Sequence, residues 1–131
     1  MNPEQIAYDT AYVPPAPVVR VFLVNPFNPS LQMQLMGLID TGADITVVPE
    51  EVVAQLGLIR HGDILVLVRD FNRVPSFRPT YIVDVQIGQR WFDLVEVISA
   101  PTNELLLGRN VINSLDLRLN GPQLVLEILN A

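Results

Sequence analysis

The side chains that could do chemistry in this chain are few. Cysteine is absent, which removes disulfides, thiol nucleophiles and cysteine metal sites. Lysine is absent as well, and all eight basic residues are arginine. There is therefore no Schiff-base lysine, phosphate-loop lysine or Ser-Lys pair. The single histidine, His61, lies in the turn-like stretch Arg60-His61-Gly62-Asp63 and reads as a solvated loop residue. None of Ser30, Ser76, Ser99 and Ser114 sits in a Gly-x-Ser-x-Gly elbow. The carboxylates are too dispersed for a recognisable metal loop, and no metal or cofactor is expected. What remains is carboxylate chemistry, and Asp40 is its best-placed group. It stands between the apolar segments Leu38-Ile39 and Ile45-Thr46-Val47-Val48 and is followed by Thr41 and Gly42. A threonine hydroxyl can bond a neighbouring backbone group, and glycine permits a tight loop close to a ligand. The same triplet is also common at plain strand-to-turn junctions.

The surroundings of the triplet are more specific. Leu38-Ile39-Asp40-Thr41-Gly42-Ala43-Asp44 followed by an apolar stretch resembles the active-site segment of retropepsin-like aspartic proteases. This is the family of the retroviral proteases and their cellular and bacterial relatives, and a bacterial or cellular member is expected here. A second segment, Leu105-Leu106-Leu107-Gly108-Arg109-Asn110-Val111-Ile112, resembles the family's apolar strand that ends in Gly-Arg and a short helix. Gly108 follows Gly42 by 66 residues, which fits the family spacing. The resemblance runs from about Val18 to Ile128.

The resemblance implies an all-β, retropepsin-like barrel with one or two short helices, completed as a symmetric homodimer. In this family two aspartates share one water. Carboxylates about 3 Å apart do not both ionise easily, so the pair holds one proton and favours acidic to mildly acidic conditions. This chain has one such triplet, since Asp116 precedes Leu117-Arg118 rather than Thr-Gly. The second aspartate would come from a second copy. Asp40, Thr41 and Gly42 then form the implied catalytic loop, with Thr41 donating across the two-fold axis. Gly42, Ala43 and Asp44 border the substrate. Gly108 and Arg109 support the loop, Arg109 by pairing with Asp44 as a buried ion pair. The substrate implied is an extended polypeptide. A flap would cover it, formed by Ile64 to Val68 and the run from Phe77, with Asp70, Phe71 and Asn72 near its tip. Retroviral flap tips are rich in glycine, whereas this chain has none between Gly62 and Gly88. An alternative reading keeps the fold without the chemistry, as a dimerisation or binding module.

The elements that must position these residues are short strands. Val18 to Val24 is rich in β-branched residues, and Leu31, Met33 and Leu35 alternate with glutamines before the chain becomes apolar at Leu38-Ile39. Asn25-Pro26-Phe27-Asn28-Pro29-Ser30 reads as the turn between them. Ile64 to Val68, Thr80 to Ile87, Trp91 to Ile98 and Leu124 to Ile128 are further strand-like runs, and Gly88-Gln89-Arg90 is a hairpin turn. Trp91 and Phe92 are expected in the core or the flap base. One helix should begin with Pro49 at its first position and end at Gly57. A second should cover Arg109 to Ser114. Residues 1–16 read as a Pro-rich N-terminal arm, frayed or ordered, ahead of a single protease domain over 17–131.

The whole-chain properties agree with a folded domain. Half of the 131 residues are hydrophobic and 17% are charged, a balance that supports a packed core. The net charge of −6 argues against sequence-independent nucleic-acid binding. No apolar run approaches the ~20 residues of a membrane span, and the N-terminus lacks a signal-peptide pattern. The expectation is a cytoplasmic protein with no membrane partner.

Overall fold

The computed structural model describes residues 4–69 and 75–130. Its main feature is a ring of strands: β2 (Val18–Val24), β3 (Gln32–Ile39), β8 (Leu105–Leu107), β4 (Thr46–Pro49), β7 (Arg90–Ala100) and β6 (Pro75–Ile87), in that spatial order. A further pairing of β2 with β6 closes the ring, and β5 (Arg60–Arg69) extends it outside β6. The expected all-β barrel is therefore present. Alternation decides what fills it. In β2, Val19, Val21 and Leu23 are fully buried while Arg20 and Phe22 face outward. They meet Ile39, Val48, Val83, Val85, Val97, Leu105 and Leu107 in one apolar core. Gly37 keeps β3 close to that core: a Cβ there would lie 3.0 Å from side-chain atoms of Leu107 and Val21.

The first helix, α1 (Glu50–Gln55), starts one residue later than Pro49 at its first position would allow. Pro49 is instead the N-cap, with ψ 140°, because it is still the last residue of β4 and pairs with Ala100. The end is as expected. Gly57 takes φ +59°, its N–H reaches the carbonyl of Ala54, and the N–H of Leu58 reaches that of Val53. This is the paired bonding of a Schellman stop. Buried Asn25, in the turn after β2, completes it by donating from Nδ2 to the carbonyl of Leu56 at 2.8 Å. The second helix, α2 (Arg109–Ile112), is shorter than Arg109 to Ser114, since 113–114 form turns.

A separate three-stranded sheet joins the two ends of the chain. β1 (Glu4–Ala7) pairs with β10 (Val125–Ile128), which pairs with β9 (Leu117–Asn120). Neither β1 nor β9 was expected from the sequence. Leu126 and Ile128 of β10 are buried and anchor this sheet to the barrel core. Beyond β1, residues 9 and 16 pair backbone to backbone and close a small loop.

Two expectations are corrected here. Trp91 is neither core nor flap base: it is 54% exposed on the outer face of β7, opposite Gln86. Alternation requires this, because its neighbour Phe92 takes the inward position against the core. His61 is not in a loop but in β5, next to Glu96 of β7. Replacing Gly57 with alanine should lower stability by about 1 kcal/mol, since the residue must hold a positive φ. Urea unfolding of Gly57→Ala checks this, and an unchanged midpoint would contradict the left-handed stop.

Candidate active site

The site is built where one loop crosses the end of a strand. β8 lies between β3 and β4, parallel to the first and antiparallel to the second. To pass from the end of β3 to the start of β4, residues 40–45 must arch over the C-terminal end of β8. Asp40 is the first residue of that arch. Its N–H donates to the carbonyl of Leu107 at 3.1 Å, continuing the β3–β8 ladder by one step. The neighbouring N–H of Ile39 donates to the carbonyl of Pro17 at 3.1 Å.

The loop then turns sharply on itself. Oδ1 of Asp40 accepts from the N–H of Gly42 at 3.0 Å, and the Asp40 carbonyl accepts from the N–H of Ala43 at 3.2 Å. This side-chain turn leaves the half-buried Asp40 carboxylate with one oxygen occupied by the loop. Thr41, Gly42 and Asp44 are exposed. Ile39 points into the core, so alternation sends Leu38 and Asp40 to the opposite face. On that face, register places Leu38 beside Leu106, Leu106 beside Val47, Val47 beside Ile98, and Ile98 beside Thr80. The carboxylate thus stands at the head of a largely apolar row. The Thr80 hydroxyl is buried there without a hydrogen-bond partner among the described residues.

The chain leaving β8 supports the arch from below. Gly108 has no space for a side chain, because a Cβ would lie 2.5 Å from the backbone carbon of Ile45. Arg109 holds the arch at three points. Its N–H donates to the carbonyl of Ala43 at 2.8 Å, its Nη1 donates to the carbonyl of Thr41 at 2.7 Å, and its Nη2 contacts Oδ1 of Asp44. The pair of Arg109 with Asp44 is present, but it is not buried in this chain: the Asp44 side chain is 86% exposed. Solvent screening reduces such a pair to about 0.2–1 kcal/mol, well below a buried one. The bond to the Thr41 carbonyl does not depend on it.

The buried part of the support lies elsewhere. Thr46 is fully buried at the first position of β4. Its Oγ1 accepts from the N–H of Gly108 at 3.0 Å and donates to Oδ1 of Asn110 at 2.9 Å. Asn110 Oδ1 also accepts from the N–H of Thr46 at 3.0 Å, and its Nδ2 donates to the carbonyl of Glu96 at 2.8 Å. Sequence reading passed over both residues. Thr46 was hidden in an apolar run, where its polarity was the one available signal, and Asn110 was overshadowed by its neighbour Arg109.

The two runs from which a flap was expected pair with one another as antiparallel strands. Leu65 to Arg69 of β5 pair with Pro79 to Pro75 of β6. The run from 75 is already strand, earlier than Thr80, because this pairing extends it. Asp70, Phe71 and Asn72 lie outside the described residues.

These contacts rank two substitutions. Thr46→Val leaves the buried Gly108 N–H without its partner and removes one of two donors to the Asn110 oxygen, and should cost about 1–3 kcal/mol. Asp44→Ala should cost less than about 1 kcal/mol. Chemical unfolding of both variants checks the order, and a larger loss at Asp44 would overturn it.

The comparisons with known proteins agree with this geometry. The sequence profile of the gag-polyprotein putative aspartyl protease family matches residues 32–114. No curated protein sequence matches the chain. Among solved structures, the chain is similar to a retropepsin-like aspartic protease from Rickettsia conorii. That likeness has a TM-score of 0.65 at 17% identity, over 97% of this chain and 90% of the other. It is also similar to EIAV protease complexed with the inhibitor HBY-793, with a TM-score of 0.59 at 17% identity, over 83% of this chain and 93% of that one. At such identity the structural likeness shows the fold alone. The profile match spans more than half of the chain and contains both the Asp40 loop and the Gly108-Arg109 turn, and on it the chain belongs to the gag-polyprotein putative aspartyl protease family, with a retropepsin-like fold.

Proposed function

We propose that the protein is an aspartic endopeptidase that works as a homodimer, with a water activated between Asp40 of two subunits. The observation that carries this reading is the construction of the Asp40 loop. A half-buried carboxylate is presented at the head of an apolar row, on an arch braced by Gly108, Arg109 and Thr46. A module used only for binding has no need of a carboxylate held in this way, which weighs against the catalytically silent alternative.

The chain carries one Asp-Thr-Gly triplet, so the second carboxylate comes from the symmetry mate and the interface is isologous. One carboxylate of the pair accepts a proton from the water as the other, protonated, donates to the peptide carbonyl oxygen. The water oxygen adds to the carbonyl carbon. Collapse of the tetrahedral species breaks the C–N bond, and the proton taken from the water passes to the leaving amine. Thr41 donates across the two-fold axis and stiffens the paired loops. Gly42, Ala43 and Asp44 border an extended polypeptide substrate, which adds backbone hydrogen bonds in strand fashion. Leu106 and Val47, both partly exposed, supply the apolar surface beside it.

The β5–β6 hairpin serves as the flap. Leu65, Leu67 and Phe77 on its arms are 50%, 46% and 70% exposed. Leu67 and Phe77 are direct cross-strand partners, so they share one face. Arms of this kind suit a cover that meets a peptide or the second subunit and excludes water from the reacting groups.

Asp40→Asn should abolish peptide cleavage while leaving the unfolding midpoint unchanged. Undiminished cleavage by the purified variant would sink the mechanism. Activity per molecule should fall on dilution, because the dimer that completes the site dissociates. Specific activity that stays constant down to nanomolar enzyme would contradict an obligate dimer.

A further inference from the structure

The mechanism above leaves one cavity unused. It lies where the three-stranded sheet of the chain ends meets the barrel, and its volume is about 300 Å³. That is the lower end of the range for small-ligand sites, about 300–1,000 Å³. None of its lining residues belongs to the arch of residues 40–45 or to the residues that brace it. Glu4 and Ile6 of β1 line one side. They pair with Ile128 and Leu126, so both side chains share the face that looks toward the barrel core. Arg20 and Met36, direct cross-strand partners on the outer face of β2 and β3, line another side. Val19 and Ile128, buried in the core, form the floor. The cavity thus has an apolar floor, and Met36 at its mouth is 50% exposed.

The rim carries one group of each charge, and Glu4 and Arg20 are both exposed. The ion pairs among the described residues are His61 with Glu96 and Arg109 with Asp44, so Glu4 and Arg20 do not pair with one another. An apolar floor flanked by a carboxylate and a guanidinium matches a ligand of the reverse arrangement. That ligand has an apolar body, an ammonium group at one end and a carboxylate at the other. A simple apolar anion would use Arg20 and meet Glu4 as a like charge, and a simple cation would have the opposite fault. A neutral apolar molecule would use neither.

We propose that this cavity binds short apolar peptides, about two residues long, with both termini free. The ammonium group faces Glu4 and the carboxylate faces Arg20. The apolar side chains enter between Ile6 and Met36 and rest on Val19 and Ile128. Each peptide bond hydrolysed creates one new terminus of each charge, so the ligand belongs to the chemical class that the proposed reaction produces. Binding itself does not depend on that reaction.

The test is a titration of the full chain with the dipeptide leucyl-leucine, followed by backbone amide chemical shifts at neutral pH. The shifts should centre on Glu4, Ile6, Arg20 and Gly88. Acetylating the amino end or amidating the carboxyl end should each weaken binding about two- to five-fold, the range expected of an exposed ion pair. Glu4→Gln should remove the effect of acetylation and keep that of amidation, and Arg20→Gln should do the reverse. A general loosening of the sheet would not produce that crossed pattern. Equal binding of the doubly blocked peptide, tighter binding of decanoate, or shifts confined to residues 40–45 would each overturn the proposal. So would the absence of shifts at millimolar peptide. The same shifts on concentrating the protein alone would assign the cavity to a second copy and also overturn it. The titration needs no activity. A protein that cleaves nothing would defeat the protease reading, while the crossed pattern would still establish this site.

Discussion

The structure depends on one crossing, where residues 40–45 pass over the end of β8 with no space for a side chain at Gly108. A single methyl at that position would meet the backbone of Ile45 at 2.5 Å. Backbone cannot move aside as a flexible side chain does, so the separation of arch and strand is set to within a few tenths of an ångström. The Arg109 bonds to Thr41 and Ala43 and the ladder bond from Asp40 to Leu107 all require that separation. The buried hydroxyl of Thr46 adds the rest by joining Gly108 to Asn110. A partly satisfied network in such a place would be worse than an apolar one. Here the Thr46 hydroxyl both donates and accepts, and each Asn110 amide atom has a protein partner.

Stiffness is distributed unevenly as a result. The base of the site centres on buried Thr46 and Gly108 and is cross-linked by hydrogen bonds. The charged pair at its rim, Arg109 with Asp44, is open to water and contributes little to holding the base together in the single chain. The β5–β6 hairpin departs from the barrel through a bulge and carries large apolar side chains into solvent. The proposed chemistry on a bound peptide would need both properties: fixed reacting groups and a cover that can lift.

Much of this was legible in the sequence where a local rule had no competitor. The β-branched run Val18 to Val24 had one sensible reading, and so did Gly57 after an apolar helical face. Asp40-Thr41-Gly42 and Gly108-Arg109 were recognisable as a pair of motifs. Other features depended on partners far along the chain. Pro49 looked like a first helical residue, yet the sheet holds it as a strand end because Ala100 lies beside it. β1 and β9 carry no clear period of their own and become strands because β10 stands between them. His61 looked like a loop residue for want of any sign that Glu96 would be adjacent. Thr46 and Asn110 were illegible for the same reason, since each draws its meaning from the other across 64 residues.

That separation has a consequence for how the protein is made. The bonds that hold the Asp40 loop join residues 62 to 68 positions apart. Loop closure over such distances comes late, after local hairpins such as β6–β7 have formed. During synthesis, the arch around Asp40 emerges well before residues 107–110 and has nothing to rest on until they follow. Assembly of the loop is therefore tied to the synthesis of residues 107–110, and a chain that stops before them holds the carboxylate in no fixed place. Topology acts here as a timer, delaying the site until the rest of the barrel exists to contain it.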